Sequence, residues 1–491
     1  MLKPLSASKW NYTTAAHLLN RAGFGGPPAQ IEELVALGPE KSVSLLLDYE
    51  KIPDPTPDPE WARPDPTRMA ALREMRSAPM EEKQQMQKDE RQLQRQRMMK
   101  LRGWWFGRMA SGPRPLQEKM VLFWHGHFAT SVEKVRDAYY MWRQNELFRR
   151  LATGNWQQLL TAVAKDPAML IWLDQAQSRK NHPNENFARE VMELFALGEG
   201  HYTEKDITEA ARALTGWSLN REEQSFVDRP RIHDTGEKTF LGKTGNLDGN
   251  DVIAQIVAQP QAARFISAKL WNYFAGEAPS DELNSQLAAV FRKSGNNFKP
   301  LLRVMFASEE FYSPSVVRNQ VKSPVQWLVG SVRVLEMQLP PPIVCWGMTR
   351  NLGQDLFAPP NVKGWDGGVT WITTNNLLAR YNQAAALVQG DYSGMSGANF
   401  AKKPGQGDRA EKVLKKIRPQ AADVGKIFTE KERTDKTALV AALEKRLLQS
   451  KLKEKQARTL QEFLDSQGQL DDGDILTAIR LVMSTPEYQL T

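Results

Sequence analysis

The sequence predicts a mainly α-helical, multi-helix globular fold with long loops and at most a small β-hairpin near residues 224–242. Apolar residues recur at helical intervals through most of the chain. Patterns that start helices stand at Thr130 and Thr203, each followed by an acidic residue three positions later. Runs in which apolar and polar residues alternate are few, so little strand is expected.

The composition is that of a globular protein with a sizeable core. The chain has 491 residues, of which 41% are hydrophobic, and a formal net charge of +8 with both signs mixed along its length. This mild excess favours contact with any polyanion but identifies none, so nucleic acid is not the partner we expect. Cys345 is the only cysteine, which excludes an intrachain disulfide and a cysteine-based zinc site.

Nothing in the sequence indicates membrane insertion. No apolar run is long enough to form a spanning helix, so no transmembrane segment is expected. Residues 1–12 lack the apolar core of a secretory signal. We therefore expect a cytoplasmic protein, or a periplasmic one if a signal was removed. The sequence predicts no particular oligomeric state.

The chain divides into five segments by composition. Six prolines within residues 52–67 predict a linker or a surface strap. Residues 69–102 are rich in charged residues and have little apolar face, which predicts a peripheral position. The predicted segments are N-terminal helices at 1–51, the proline-rich segment at 52–68, the main helical body with the candidate site at 69–390, a mobile loop at 391–409 and charged helices at 410–491.

The densest group of polar side chains falls in a helix predicted to start at Asn184 and to end at Gly198. Asparagine is a favourable N-cap, and glycine is favourable just past a last turn. One face of this helix is apolar, and the other carries a polar stripe. The polar residues of this segment are Glu185, Asn186, Arg189, Glu190 and Glu193.

Two interpretations of this stripe stay open. In the catalytic one, Glu190 is a general base or metal ligand, Glu185 a second acid/base group, Arg189 orients the substrate and Asn186 contacts it. In the structural one, Arg189 pairs with the glutamates four residues before and after it and stabilises the helix.

A pair of histidines, His125 and His127, follows an apolar helix. On a continuous helix their side chains would point about 200° apart, which excludes a shared ligand. We expect Gly126 to end the helix and to let both imidazoles turn inward as candidate catalytic groups and ligands of a divalent metal. The alternative is that backbone carbonyls at a helix junction satisfy both rings.

Loop residues are predicted to close a pocket over these groups. His233 and Asp234 are expected near the tip of the hairpin, and Trp217 follows a helix end. A stiff proline- and glycine-rich loop presents Trp365. We expect these side chains to contact a substrate held between the Asn184 helix and the two histidines.

Five motifs, in order along the chain, resemble a bacterial family known as domain of unknown function 1800. The resemblance runs from about residue 13 to 389 and again near 483–488. It implies a large, mostly helical fold, and it implies a sulfatase-like neighbour protein as a partner. The motifs are HLLNRAGFG at 17–25, FWHGHF at 123–128, NENFARE at 184–190, LTGW at 214–217 and PPNVKGWDGG at 359–368.

Two functions follow from these residues. The first is a metal-assisted or acid/base hydrolase, because imidazoles and carboxylates cluster between residues 125 and 234. The second is a non-catalytic binding or scaffold protein that works with the sulfatase-like partner. The sequence contains no nucleophile elbow and no His-Glu-x-x-His, so clustering alone supports the enzyme.

Overall fold

The computed structural model describes residues 2–395 and 411–491, so residues 396–409 of the predicted mobile loop lie outside the described residues. The protein is mainly α-helical, as predicted. In the first half of the chain the helices are α1 (Tyr12–Ala22), α2 (Pro28–Leu37), α3 (Pro39–Leu47), α4 (Arg68–Ser77), α5 (Met80–Ser111), α6 (Pro115–His127), α7 (Val132–Val135), α8 (Ala138–Arg150), α9 (Trp156–Ala164), α10 (Pro167–Trp172), α11 (Glu185–Glu190) and α12 (Glu204–Ala213).

The second half of the described chain is built in the same way. Its helices are α13 (Gly249–Ala258), α14 (Pro260–Ala275), α15 (Asp281–Lys293), α16 (Phe298–Ala307), α17 (Pro324–Val334), α18 (Pro342–Asn351), α19 (Thr374–Gln389), α20 (Val424–Ile427), α21 (Glu430–Thr434), α22 (Lys436–Leu443), α23 (Glu454–Ser466) and α24 (Asp472–Met483). Two π-helical turns, Val191–Ala196 and Glu444–Leu448, continue α11 and α22. Among the described residues, no helix is long and apolar enough to cross a membrane.

The strands form two small antiparallel hairpins. The first pairs β1 (Trp217–Asn220) with β2 (Ser225–Asp228), and the second pairs β3 (Lys238–Phe240) with β4 (Lys243–Gly245). The strands therefore extend beyond the predicted range of 224–242, and they form two hairpins where the sequence predicted one at most. Alternation alone missed β1 because all but the last of its residues are buried, which removes the polar face that marks a strand.

Helix α6 runs through the middle of the core. Every residue from Leu116 to His125 is buried, and a helix that is covered on all sides must be packed by several others. The Trp124 ring lies against Trp156 and Phe298, with centroids 6.0 and 5.0 Å away. The end of α6, with its two histidines, is therefore held by tertiary packing.

The core also encloses a charged cluster. Glu118 is 2% exposed and accepts hydrogen bonds from Arg108 Nε at 2.8 Å and Arg149 Nε at 2.7 Å. Its second oxygen accepts from Trp105 Nε1 at 3.0 Å. A buried carboxylate requires such partners, because desolvation penalises the charged form. Burial by itself would raise the pKa of Glu118, but the charges and hydrogen bonds of the two arginines together outweigh it and lower the pKa below its usual value.

The proline-rich segment lies as a strap against α5. Trp104 Nε1 donates to Pro57 O at 2.8 Å, and Arg108 forms an ion pair with Asp54. Arg114 Nε donates to Ile52 O at 2.7 Å. Helix α5 is largely exposed up to residue 97, whereas Met98 and most of the following turns are buried. The charged segment thus has an exposed first part and a buried end.

Candidate functional site

Helix α6 does not end at Gly126, so the prediction that this glycine terminates the helix is wrong. The helix continues through His127. The close approach of the later loop depends on Gly364 instead: a Cβ atom there would lie 2.4 Å from the Gly126 carbonyl oxygen, whereas a Cβ atom at Gly126 would meet only the Trp365 ring, at 4.0 Å. The predicted Thr130 capping box is also absent, since Ser131 caps α7. Because the helix is continuous, His125 and His127 point in different directions.

His125 contacts the loop that carries Trp365. Its Nε2 accepts a hydrogen bond from the Phe357 amide at 2.9 Å, which places the imidazole proton on Nδ1. The ring centroid lies 5.2 Å from that of Trp105 and 5.5 Å from that of Trp365. Burial lowers the pKa of His125 to about 3, so the ring is neutral.

His127 contacts the π-helical turn that follows α11. Its Nε2 lies 2.9 Å from the carbonyl oxygen of Phe195, and a carbonyl only accepts, so here the proton is on Nε2. In this turn Leu197 N donates to Met192 O at 2.7 Å, five residues back. Burial lowers the pKa of His127 to about 3 as well. The two histidines are thus opposite tautomers with backbone partners: His127 bonds to a carbonyl, as the structural alternative predicts, whereas His125 bonds to an amide.

The stripe residues of α11 mostly bond to the next helix, α12. Arg189 forms two hydrogen bonds, of 2.9 and 2.8 Å, with the carboxylate of Glu204. Glu185 accepts from the Thr208 hydroxyl at 2.9 Å. Glu193 accepts from the Tyr202 hydroxyl at 3.0 Å. The predicted pairs of Arg189 within its own helix are therefore replaced by pairs between segments, because the end of α11 lies beside the start of α12.

Glu190 is the member of the predicted catalytic set that keeps its carboxylate free of hydrogen bonds and ion pairs within the described residues. It is half-buried. Burial, and then the neighbouring charge of Glu193, raise the pKa of Glu190, while the ammonium of Lys363 opposes this shift. Asn186 is exposed at the start of the same helix.

The loop between Phe357 and Gly368 connects the two parts of the predicted site. Phe357 is buried in a left-handed conformation with φ +65°. Its amide donates to His125, and its carbonyl accepts from Val132 N at 2.8 Å. Such a conformation costs about 1–3 kcal/mol and persists where both sides hold it. Farther along the loop, the Trp365 ring contacts His125. The positive charge of Lys363 lowers the pKa of Glu190 and so opposes the effect of its burial.

The hairpin residues form a separate group. His233 and Asp234 lie between the two hairpins, so their predicted place near a hairpin tip is wrong. His233 Nδ1 donates to Thr215 O at 2.7 Å. Asp234 accepts from Arg212 Nε at 2.8 Å, and this bond lowers the pKa of Asp234. The hydrogen bond from Arg212 of α12, rather than a tight turn, holds the segment of His233 and Asp234 in place.

Trp217 belongs to the core. It is 1% exposed, and a Cβ atom at Gly249 would lie 2.4 Å from its indole ring. The ammonium of Lys165 lies 4.9 Å from the ring centroid. The predicted contact of Trp217 with a substrate thus finds no open ring face, because Gly249, Lys165 and Phe226 lie against the indole.

The donor set does not favour the predicted metal site. Among residues 2–395 and 411–491, no group of three or more His, Cys, Asp or Glu side chains is placed to hold a metal ion. The Nε2 atoms of both histidines already bond to backbone groups. A divalent ion at His125 and His127 would have to break one of these bonds.

Sequence reasoning missed three residues that organise this region. Lys363 lies in the recognised loop motif but was not singled out, because an isolated lysine has no signal of its own. Phe357 was missed because a left-handed phenylalanine has no sequence signature. Arg212 was missed because its partner Asp234 is 22 residues away.

The comparisons with known proteins agree with the resemblance noted above. Residues 17–490 match the family described as protein of unknown function (DUF1800). No curated protein and no solved structure was found to match. The match covers nearly the whole chain, so the protein belongs to the DUF1800 family.

Proposed function

We propose that the protein is a non-catalytic binding protein that presents the surface of residues 369–381 to a protein partner. Four of the eight large hydrophobic side chains exposed among the described residues lie in this short stretch. A cluster of this kind typically marks an interaction site. These four are Val369 (75% exposed), Leu377 (46%), Leu378 (62%) and Tyr381 (43%).

Buried and half-buried side chains next to these four residues fix the position of the surface. The buried Arg380 donates to Gln489 Oε1 at 3.1 Å and to Lys322 O at 2.7 Å, which fixes α19 to the body. The half-buried Trp371 lies against Gly353 and Gly367. A pre-organised surface loses less conformational entropy when it binds, which supports a docking role.

The bonding of the predicted catalytic residues supports the same function. His125 and His127 bond to backbone groups, and Arg189 and Glu185 bond to α12. These bonds join α6 to the loop that begins at Phe357, and α11 to α12. The partner we propose is the sulfatase-like protein that the family resemblance implies.

The test mixes the purified protein with the sulfatase-like protein of the same organism and measures complex formation by calorimetry and size exclusion. We expect Leu378→Asp to weaken binding by about tenfold or more, because it places a charge in the contact. Leu45→Asp is the matched control, since Leu45 is exposed on α3. Equal binding by Leu378→Asp and the unsubstituted protein would contradict the proposal.

Glu190 supports a second candidate function, an acid/base hydrolase. A half-buried carboxyl with a raised pKa and no bonded partner among the described residues suits a general base. Arg189 is already paired with Glu204, so it would have to leave that pair to orient a substrate.

The hydrolase is tested with chromogenic ester, phosphate, sulfate and glycoside substrates and with metal analysis of the purified protein. Glu190→Gln should abolish any activity found and leave the melting temperature within a few degrees. The exposed Glu199 provides the control Glu199→Gln. Activity that survives Glu190→Gln rules out this role for Glu190.

A further inference from the structure

Helix α19 is apolar on its outer side as well as on its inner side. Its outer face carries Leu377, Leu378 and Tyr381, which are 46%, 62% and 43% exposed. A surface helix normally has a polar outer face, and a helix that is apolar all round is normally buried. The outer face of α19 therefore requires a cover. The residues that bury the inner face are Arg380, Gln383, Ala384, Leu387 and Val388.

The outer face has the spacing of a helix-pairing surface. Thr374, Leu378, Tyr381 and Ala385 are separated by four, three and four residues, and each of them is exposed or half-buried. This alternation of three and four keeps a row of side chains on the contact line between two helices. The row, which we call the α19 seam, is about 17 Å long at 1.5 Å per residue. The seam thus has the pattern to pack against one other helix.

The surface around the α19 seam carries no exposed charge. Between Asp366 and Asp391 the only charged residue is Arg380, and the structure describes every residue of this interval. Arg380 is 1% exposed and is bonded to Gln489 and to the carbonyl of Lys322. Charged residues make up 25% of the whole chain, so this uncharged stretch differs from the rest of the surface.

The absence of charge favours a second copy of the chain over a different protein as the cover. In a contact of two identical chains around a two-fold axis, a side chain near the axis meets itself, so a charged one meets a like charge. A contact between different proteins has no such restriction and commonly uses opposite charges to select its partner. The formal net charge of +8 makes two copies repel each other, and an uncharged face adds no local repulsion.

We propose that, in the absence of its partner, the protein forms a two-fold homodimer in which two α19 seams pack against each other. This homodimer rests on the proposed function and adds a regulation to it, because both contacts use the surface at 369–381. The second copy covers the apolar side chains until the sulfatase-like partner displaces it. The partner therefore competes with dimerisation, and a high concentration of the free protein weakens its apparent binding.

The test measures the mass of the full-length protein by sedimentation from about 1 µM to 1 mM, a range that spans weak and stable complexes. We expect the mass to rise from that of one chain to that of two. Leu378→Asp and Leu378→Lys should each weaken dimerisation by about tenfold or more, because the new charge meets its own copy in the middle of the seam. An equimolar mixture of the two variants should regain the dimer, because opposite charges then meet.

The matched controls are Leu45→Asp and Leu45→Lys, which place the same charges on an exposed leucine of α3. Both should dimerise like the unsubstituted protein, and circular dichroism verifies that all four variants are folded. A mass of one chain over the whole range would overturn the inference. Dimerisation that Leu378→Asp leaves unchanged, or a mixture of the Leu378 variants that stays monomeric, would overturn it as well.

Adding the sulfatase-like protein to the dimer separates this inference from the proposed function. A complex with one chain of each protein, formed as the homodimer disappears, supports both. A homodimer that persists with no partner bound supports the inference and contradicts the proposed function. Partner binding by a protein that is monomeric at every concentration contradicts the homodimer alone.

Discussion

His127 donates its Nε2 proton to the carbonyl oxygen of Phe195 at 2.9 Å. Phe195 lies in a π-helical turn, where hydrogen bonds span five residues, as from Leu197 N to Met192 O. The last carbonyls of any helix lack partners within that helix. The imidazole thus satisfies a backbone group that the turn leaves exposed to the core, and it joins α6 to the segment after α11.

Replacing His127 with alanine should destabilise the protein by about 2–4 kcal/mol, because it leaves a cavity and an unpaired buried carbonyl. The measurement is urea unfolding followed by circular dichroism. His201→Ala is the control, since His201 is exposed, and it should leave the free energy of unfolding unchanged. If both variants unfold at the same urea concentration, the His127 bond contributes nothing.

Asp166 should make stability depend on pH. Burial raises the pKa of Asp166 from 3.8 to about 7, and its Oδ2 has no partner among the described residues. Between these values the folded protein holds a proton that the unfolded chain has released. The contribution of Asp166 therefore favours folding at low pH and is lost as pH rises from about 4 to 7, by about 1.4 kcal/mol per pH unit.

Asp166→Asn removes this titration and keeps an acceptor for Met169 N and Gln144 Nε2. The free energy of unfolding of Asp166→Asn minus that of the unsubstituted protein should increase between pH 4 and pH 7. A constant difference across this range would mean that Asp166 is ionised in the folded protein throughout.

Replacing Glu118 with glutamine should cost about 3–5 kcal/mol, because it leaves the buried Arg108 and Arg149 without an opposing charge at this site. Glu204→Gln breaks the pair with Arg189 in the same chemical way, but Glu204 is exposed. That control should leave stability nearly unchanged. Similar melting temperatures for the two variants would show that the Glu118 cluster is no more important than a surface pair.

Gly364→Ala should loosen the loop that carries Trp365. A methyl group there would lie 2.4 Å from the Gly126 carbonyl, on a residue with φ +86°. Gly368 also has a positive φ, +58°, but open space around its Cβ position, so Gly368→Ala is the control for backbone strain alone. Hydrogen exchange of the amides at 357–368 should accelerate more in Gly364→Ala; equal rates in both variants would contradict the close contact.

Local signals in the sequence predict local structure well in this protein. Asn184 caps α11 and Thr203 forms a capping box with Asp206, both as expected, because a cap depends on residues within one turn. The capping box predicted at Thr130 fails, since the Thr130 hydroxyl donates to Phe128 O instead. The mainly helical class follows from the same periodicity that predicts the individual helices.

The candidate site is less predictable because its geometry depends on distant segments. The segment that packs against the Gly126 carbonyl comes from Gly364, more than 200 residues later. The partner of Arg189 is Glu204 because of how the chain turns after the π-helical turn. No spacing rule within α11 contains that information.

The bond between Phe357 and His125 also has a consequence for biosynthesis. The two residues are 232 positions apart, so the ribosome must add that many residues after His125 before its partner exists. At typical rates of synthesis this takes about 10 to 50 seconds. During that time the apolar surroundings of His125 lack the loop that covers them in the finished protein. We therefore expect this part of the nascent chain to stay incompletely packed until the segment around Phe357 has left the exit tunnel.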